Sequence, residues 1–172
     1  MGEVGIRPCA AQDAEAVETL RVDGWRTAYR GMIPDTFLDS MRVDAERRRG
    51  HIAQRPDGVL ESVAVQDGTV VGWVAAGPCR DEDRQEPDKG EIYACYVLPR
   101  RWRGGIGRLL MSQATAALAA GGRDDISLWV LQANSAARRF YESCGFQPDG
   151  IRQLLDLGGP VPEVRYRRKG TS

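Results

Sequence analysis

The sequence predicts an α+β fold: a mixed central sheet with two early helices, two late ones and an antiparallel tail. Three observations carry that expectation. The apolar runs Val63-Ala64-Val65 and Val70 to Ala75 flank Asp67-Gly68, a strong hairpin signal. A second apolar run, Glu91 to Val97, passes through a glycine-rich turn directly into a helical pattern. The chain then ends on two more extended runs around Gly158-Gly159-Pro160.

Taken in order, Val4 to Arg7 reads as a first strand. Residues 12 to 29 form a helix carrying Ala16, Val17, Leu20, Trp25 and Tyr29. Gly31-Met32-Ile33-Pro34-Asp35 breaks it, and a second helix is expected to run on to about Arg49. The hairpin follows, then a polar, acidic loop from Arg80 to Lys89. Pro99 closes the strand 91–97 because it has no N–H for the ladder. From about Gly105 to Ala120, Ile106, Leu109, Leu110, Ala114, Ala117 and Leu118 make one helical stripe. Ile126 to Leu131 is strand-like, and Asn134 is a good cap for a helix that shows Ala137, Phe140, Tyr141 and Cys144 on one face. Gly145 ends that helix, and Ile151 to Leu157 and Glu163 to Arg168 form the last hairpin. Without an internal repeat or linker, residues 1–172 are expected to be a single domain with room for one core.

Charge and cysteine content narrow the partners. The chain has 24 basic and 24 acidic residues, so no general affinity for nucleic acid or a membrane surface is expected. Cys9, Cys79, Cys95 and Cys144 show no close-paired spacing, and His51 is the lone histidine. A disulfide framework or a metal site is therefore not expected, and a reduced, cytoplasmic compartment is. No run approaches the ~20 apolar residues of a membrane span, and Ile6 breaks the myristoylation pattern after Met1-Gly2.

The stretch from Val97 to Gly107, Val-Leu-Pro-Arg-Arg-Trp-Arg-Gly-Gly-Ile-Gly, joins strand to helix. Glycines before a helix permit close backbone approach, and the first turn presents unpaired N–H groups at the positive end of the helix dipole. Arg100, Arg101, Arg103 and Arg108 add positive charge, so a phosphorylated ligand is expected. The turn lacks the Lys-Ser/Thr pair of a P-loop, and its strand lies too deep in the chain to open a dinucleotide-binding unit. Asn134-x-x-Ala137-x-x-Phe140-Tyr141-x-x-x-Gly145-Phe146 begins 27 residues after Gly107.

This pair of motifs resembles the GNAT superfamily of acyl-CoA-dependent N-acyltransferases, whose signature is Arg/Gln-x-x-Gly-x-Gly/Ala followed by such an Asn-to-Gly-Phe segment. The resemblance runs over roughly residues 3 to 168 and is strongest from 91 to 146. Trp102 stands where the family has Arg or Gln, while Gly105 and Gly107 keep their offsets. The resemblance implies a mixed, mostly antiparallel central sheet of about seven strands with four helices. It further implies an N-acetyltransferase that passes an acetyl group from acetyl-CoA to a primary amine by direct attack in a ternary complex.

Site residues follow from the same resemblance. The backbone of Tyr96, Val97 and Leu98 would hold the pantetheine arm, and the Val97 N–H would meet the carbonyl oxyanion. The pyrophosphate would sit at Trp102, Arg103, Gly104, Gly105, Ile106, Gly107 and Arg108, with Asn134 and Ala137 beside the CoA arm. Tyr141 would protonate the leaving thiolate, a transfer that a phenol of pKa ~10 can make in close proximity. Glu91 lies eleven residues before Trp102, the spacing of the catalytic glutamate in a similar Glu-Ile strand of histone acetyltransferases, and is the candidate base. A strand-start carboxylate facing solvent is the other reading of Glu91. Cys95 has no histidine or other base in its motif and reads as a buried strand thiol rather than a nucleophile.

The acceptor is a small-molecule amine on this reading, with a protein amine or a non-catalytic acyl-CoA sensor as alternatives. Trp25, Tyr29 and Ile33, together with Met32 and Phe37, either frame the acceptor pocket or pack the early helices onto the sheet. Asp81, Glu82, Asp83 and Glu86 either attract a cationic amine or form a solvated loop. No metal is expected, and a homodimer is compatible with the family.

Overall fold

The computed structural model describes residues 2–170. Seven strands lie among them: β1 (Gly5–Pro8), β2 (Leu60–Gln66), β3 (Thr69–Pro78), β4 (Lys89–Val97), β5 (Asp125–Leu131), β6 (Gln147–Asp156) and β7 (Pro160–Arg168). The helices are α1 (Ala14–Ala28), α2 (Asp35–Ser40), α3 (Ala45–Ala53), α4 (Ile106–Ala120) and α5 (Ser135–Ser143). The strands form one sheet in the order β1-β2-β3-β4-β5-β7-β6, antiparallel except where β4 meets β5.

The described helices number five, not the expected four, because the segment before Arg49 is cut in two. Met41 takes an extended conformation after Ser40, and the Asp44 carboxylate accepts the Arg47 N–H at 3.0 Å to start α3 anew. The break is fastened from α1, where Arg26 donates to the carbonyls of Leu38 at 3.2 Å and Met41 at 2.7 Å. An Asp four residues after a polar Ser was the available signal.

Alternation along β4 places the helices. The Tyr96 ring lies against Gly24 of α1, whereas Val97 faces Gly107 of α4. Neighbouring strand residues point to opposite faces, so α1 and α4 sandwich the sheet between them. Leu110, Leu118, Phe146 and Tyr166 are at most 2% exposed in the larger cluster, and each contributes about 1.5–3 kcal/mol by burial. A smaller cluster joins Val22 and Leu38 of the early helices, and Ile33 and Met41 of the segments that follow them, to Leu131 of β5 and Val161 of β7.

β4 and β5 pair only from Lys89–Asp125 to Glu91–Ser127, and then separate. β4 continues along β3, and β5 continues along β7. The parting follows a bulge: Ala75 opposes Ala94 and Ala76 opposes Ile92, which leaves Tyr93 as the extra residue. A bulge bends and twists its strand, here away from β5. The closed end is tied by Asp125, which accepts from Arg84 at 3.0 Å and Arg167 at 2.6 Å and lies 3.2 Å from the Lys89 ammonium. The fold therefore presents a V-shaped cleft, fixed at one end by ions and opening toward Val97 and Leu131.

Candidate active site

The turn after β4 has the character of an anion cradle. Leu98 gives its N–H to the Val71 carbonyl at 2.9 Å, and a 3-10 turn over 99–101 follows. Arg103 and Gly105 both adopt positive φ, 64° and 82°, and so fold the chain back before α4 begins. Among the described residues, Arg103, Gly105, Ile106, Gly107 and Arg108 give no N–H to a backbone carbonyl. These donors stand at the positive end of a 15-residue helix. Gly107 packs closely, since a Cβ there would lie 3.1 Å from the Phe140 ring of α5, which would have to give by a few tenths of an ångström. The Arg108 guanidinium turns away to Ser143, donating to its carbonyl at 3.1 Å and hydroxyl at 3.2 Å. Its contribution to the cradle is thus its backbone.

The strand edge presents a second set of groups. In an antiparallel ladder, bonded and non-bonded residues alternate. Because Leu98 bonds to Val71 of β3, Val97 directs its N–H and C=O toward the cleft. Trp102, 46% exposed, donates its indole N–H to that Val97 carbonyl at 2.8 Å. The residue that departs from the family pattern therefore covers the strand edge. Tyr96 turns the other way and accepts the Trp25 indole N–H at 2.7 Å, with its ring stacked on Trp73 at 6.0 Å.

The helix α5 brings Tyr141 to the cleft from the side of β5. Its start is fixed by Asn134, whose carbonyl oxygen accepts the Ala137 N–H at 3.0 Å. Its end is closed by Phe146 and Gly145, which donate back to the carbonyls of Tyr141 and Glu142, each at 3.0 Å. Phe140 and Phe146 flank the Tyr141 ring. Burial, reinforced by Cys95, Tyr29 and Tyr96 nearby, pushes the Tyr141 phenol well above its ordinary value. The hydroxyl is thus held in its protonated, donating form. Burial also pushes the Cys95 thiol up to about 12, which suits the buried strand thiol and not a nucleophile.

Glu91 lies at the closed end of the cleft and is 2% exposed. It accepts the Arg80 backbone N–H at 2.9 Å and the Arg80 guanidinium at 2.6 and 3.2 Å. It is therefore not a solvated strand-start carboxylate. Arg80 lies over the Tyr93 ring at 4.0 Å and is the partner that sequence reasoning missed. A cation at the end of β3, on the loop, gave no periodic signal.

On the α1 side, Trp25 and Tyr29 are half-buried with rings 5.1 Å apart, and Tyr29 neighbours both Tyr96 and Tyr141. Ile33 is only 3% exposed and packs in the smaller core cluster, as the packing alternative describes. A surface cleft of about 360 Å³ between α1 and α2 shares Trp25 and Phe37 with the expected acceptor residues, but neither Tyr29 nor Ile33. The acidic loop is not solvated throughout: Arg165 of β7 binds Asp81 at 3.1 Å and Asp83 at 2.7 Å, strapping the loop over the sheet. Glu163, two residues earlier on β7, also escaped the sequence reading. Among the described residues, no cluster of three or more His, Cys, Asp or Glu could hold a metal, and no helix is long and apolar enough to cross a membrane.

The chain is similar to known proteins. Residues 22–146 match the acetyltransferase (GNAT) family. The chain is 30% identical over 152 residues to the uncharacterised N-acetyltransferase YuaI of Bacillus subtilis, covering 87% of this chain and 83% of that one. It is 36% identical over 107 residues to the mycothiol acetyltransferase of Kocuria rhizophila, covering 60% of this chain and 34% of the longer relative. The PaiA N-acetyltransferase of Thermoplasma acidophilum, solved in complex with coenzyme A, superposes with a TM-score of 0.76 at 20% identity, over 97% of this chain and 99% of that one. The chain belongs to the GNAT acetyltransferase family and is an acyltransferase.

Proposed function

We propose that this acyltransferase transfers an acetyl group from acetyl-CoA to a primary amine of a small molecule, by direct attack within a ternary complex. It would do so as a single cytoplasmic domain over residues 1–172, a setting that suits its four free cysteines. The observation that carries the reading is the continuity between the cleft-facing Val97 edge and the free N–H groups of Arg103, Gly105, Ile106, Gly107 and Arg108. A donor with an amide-bearing arm and a pyrophosphate fits that sequence of groups. A solved neighbour in complex with coenzyme A supports the same donor, and a relative named for mycothiol supports a small acceptor.

In this reading the Val97 N–H donates to the thioester oxygen as negative charge builds there. Such a donor contributes about 10²–10³ in rate when it is fixed in advance. The amine nitrogen bonds to the carbonyl carbon and the C–S bond breaks. Tyr141 gives its phenolic proton to the departing sulfur. Glu91, at the closed end of the cleft, receives the proton lost by the amine, by way of water because Arg80 holds both of its oxygens.

Release of free CoA thiol across a panel of amino acids, polyamines, aminoglycosides and short peptides tests the proposal. Turnover should favour one amine class, and Tyr141→Phe should lower kcat by about 10²-fold or more with acetyl-CoA affinity retained. Absence of acetyl-CoA binding would overturn the reading.

A further inference from the structure

Acidic side chains that this fold withdraws from water are matched with cations, with one exception. Asp13 pairs with Arg7, Glu18 with Arg21 and Arg48, and Glu61 with Arg55. Glu91 pairs with Arg80, Asp125 with Arg84, and Asp81 and Asp149 with Arg165. Glu163 is also partly buried, yet among the described residues it has no arginine or lysine within ion-pair distance. Its one hydrogen bond comes from a neutral donor, the Gln153 amide of β6 at 2.9 Å. Cations are close at hand but committed elsewhere: Arg165, on the same face of β7, is bound by Asp81, Asp83 and Asp149.

The place of Glu163 gives this exception meaning. It opposes Leu131 at the end of β5, so it stands at the open end of the cleft. Alternation puts it on the face of Val161, which joins the α1–α2 side of the core, and Tyr29 and Glu91 are its electrostatic neighbours. Trp25 and Tyr29 pack against the same small cluster as Val161, so the carboxylate lies on the face of the sheet that carries these rings. Burial raises the Glu163 carboxyl above its ordinary range, with Gln153 opposing and Glu91 reinforcing the shift. A carboxylate taken partly out of water gains most from a cation brought to it.

We propose that Glu163 docks the ammonium group of the acceptor, and that the acceptor is a cationic alkylamine, such as a diamine or polyamine. Amines with a carboxylate beside the reacting nitrogen are disfavoured, because they would bring a second negative charge to Glu163. The half-buried rings of Trp25 and Tyr29 suit a cationic chain through their π faces. This assignment deepens the proposed acetyl transfer and rests on it.

The test uses the CoA-loaded protein with cadaverine as probe and glutamate as its anionic counterpart, read by titration calorimetry. Cadaverine should bind the wild-type complex and glutamate should not. Glu163→Gln should weaken cadaverine by about tenfold or more and leave CoA affinity unchanged, while Glu163→Asp, which keeps the charge, should restore much of the loss. In turnover, KM for cadaverine should rise with KM for acetyl-CoA unmoved. Equal cadaverine affinity in wild type and Glu163→Gln, or a preference for glutamate, would overturn the assignment and leave the acetyl-transfer reading standing. Loss of CoA binding in the wild type would instead strike the acetyl-transfer reading, and cadaverine titrated into the free protein would still read Glu163. Thermal unfolding of both variants at the wild-type temperature confirms that the readout is local.

Discussion

Replacing Asp125 by Asn should both destabilise the protein and loosen the closed end of the cleft. The carboxylate, with its side chain 12% exposed, meets Arg84, Arg167 and Lys89 at 3.0, 2.6 and 3.2 Å. Asn keeps the shape and removes the charge, leaving the nearly buried Arg84 without its counter-ion. Removing one partner of a buried ion pair costs about 3–5 kcal/mol. In a chain of this size that corresponds to a fall of about 6–20 °C in Tm. The dependence on pH is a stricter check. Burial alone would raise the Asp125 carboxyl, but hydrogen bonds from Arg167 and Arg84 prevail and hold it well below the usual carboxylate range. A group whose pKa is lower when folded adds stability above its unfolded pKa of ~3.9 and loses that stability as pH falls through the folded value. Urea unfolding of wild type and Asp125→Asn should therefore differ by the full amount at pH 7 and converge toward pH 2. A difference below about 1 kcal/mol at pH 7, or one that persists unchanged in acid, would refute the reasoning.

Two further outcomes concern the strand edge. Trp102→Phe removes the indole N–H that holds the Val97 carbonyl, and should tighten CoA binding by about two- to tenfold if that carbonyl serves the donor's amide; calorimetry showing equal or weaker binding counts against this role. Cys95→Ala should leave kcat within about twofold, and intact-protein mass after mixing with acetyl-CoA should show no acyl adduct, because the thiol is held in its unreactive form.

Legibility in the sequence followed the range over which each signal acts. The turn and its two flanking motifs were readable because the residues that shape them are contiguous: Gly105 and Gly107 before α4, Asn134 before α5, Gly145 after it. The hairpin at Asp67-Gly68 was readable for the same reason, and both residues take positive φ. The break between α2 and α3 was missed because it depends on Arg26 reaching across from α1. Arg80, Arg165 and Glu163 were missed because their meaning lies in partners 11, 84 and 10 residues away, or in the lack of a cation. An acidic loop looked solvated for the same cause: its arginine arrives from the last strand. Trp102 was recognised as a departure, but only the fold shows that it reaches back to Val97.

The bulge at Tyr93 connects these features. Were β4 and β5 paired along their whole length, the Val97 N–H and C=O would lie inside a ladder and offer nothing to a ligand. Once the strands part, those groups face a cleft, where leaving them unmatched is unfavourable unless water, a side chain or a substrate meets them. Trp102 meets one of them from the cradle side. The parting also frees the Leu131 end of β5, with Glu163 beside it on β7, from any pairing with β4. The two arms of the open cleft consequently differ in sign, with free N–H groups at the start of α4 beyond β4 and, beside the end of β5, a carboxylate without an ion-pair partner among the described residues. A chain of zero net charge thus carries a local polarity suited to a phosphorylated donor on one side and a cationic acceptor on the other. Composition averages that polarity away, and the divergence of two strands creates it.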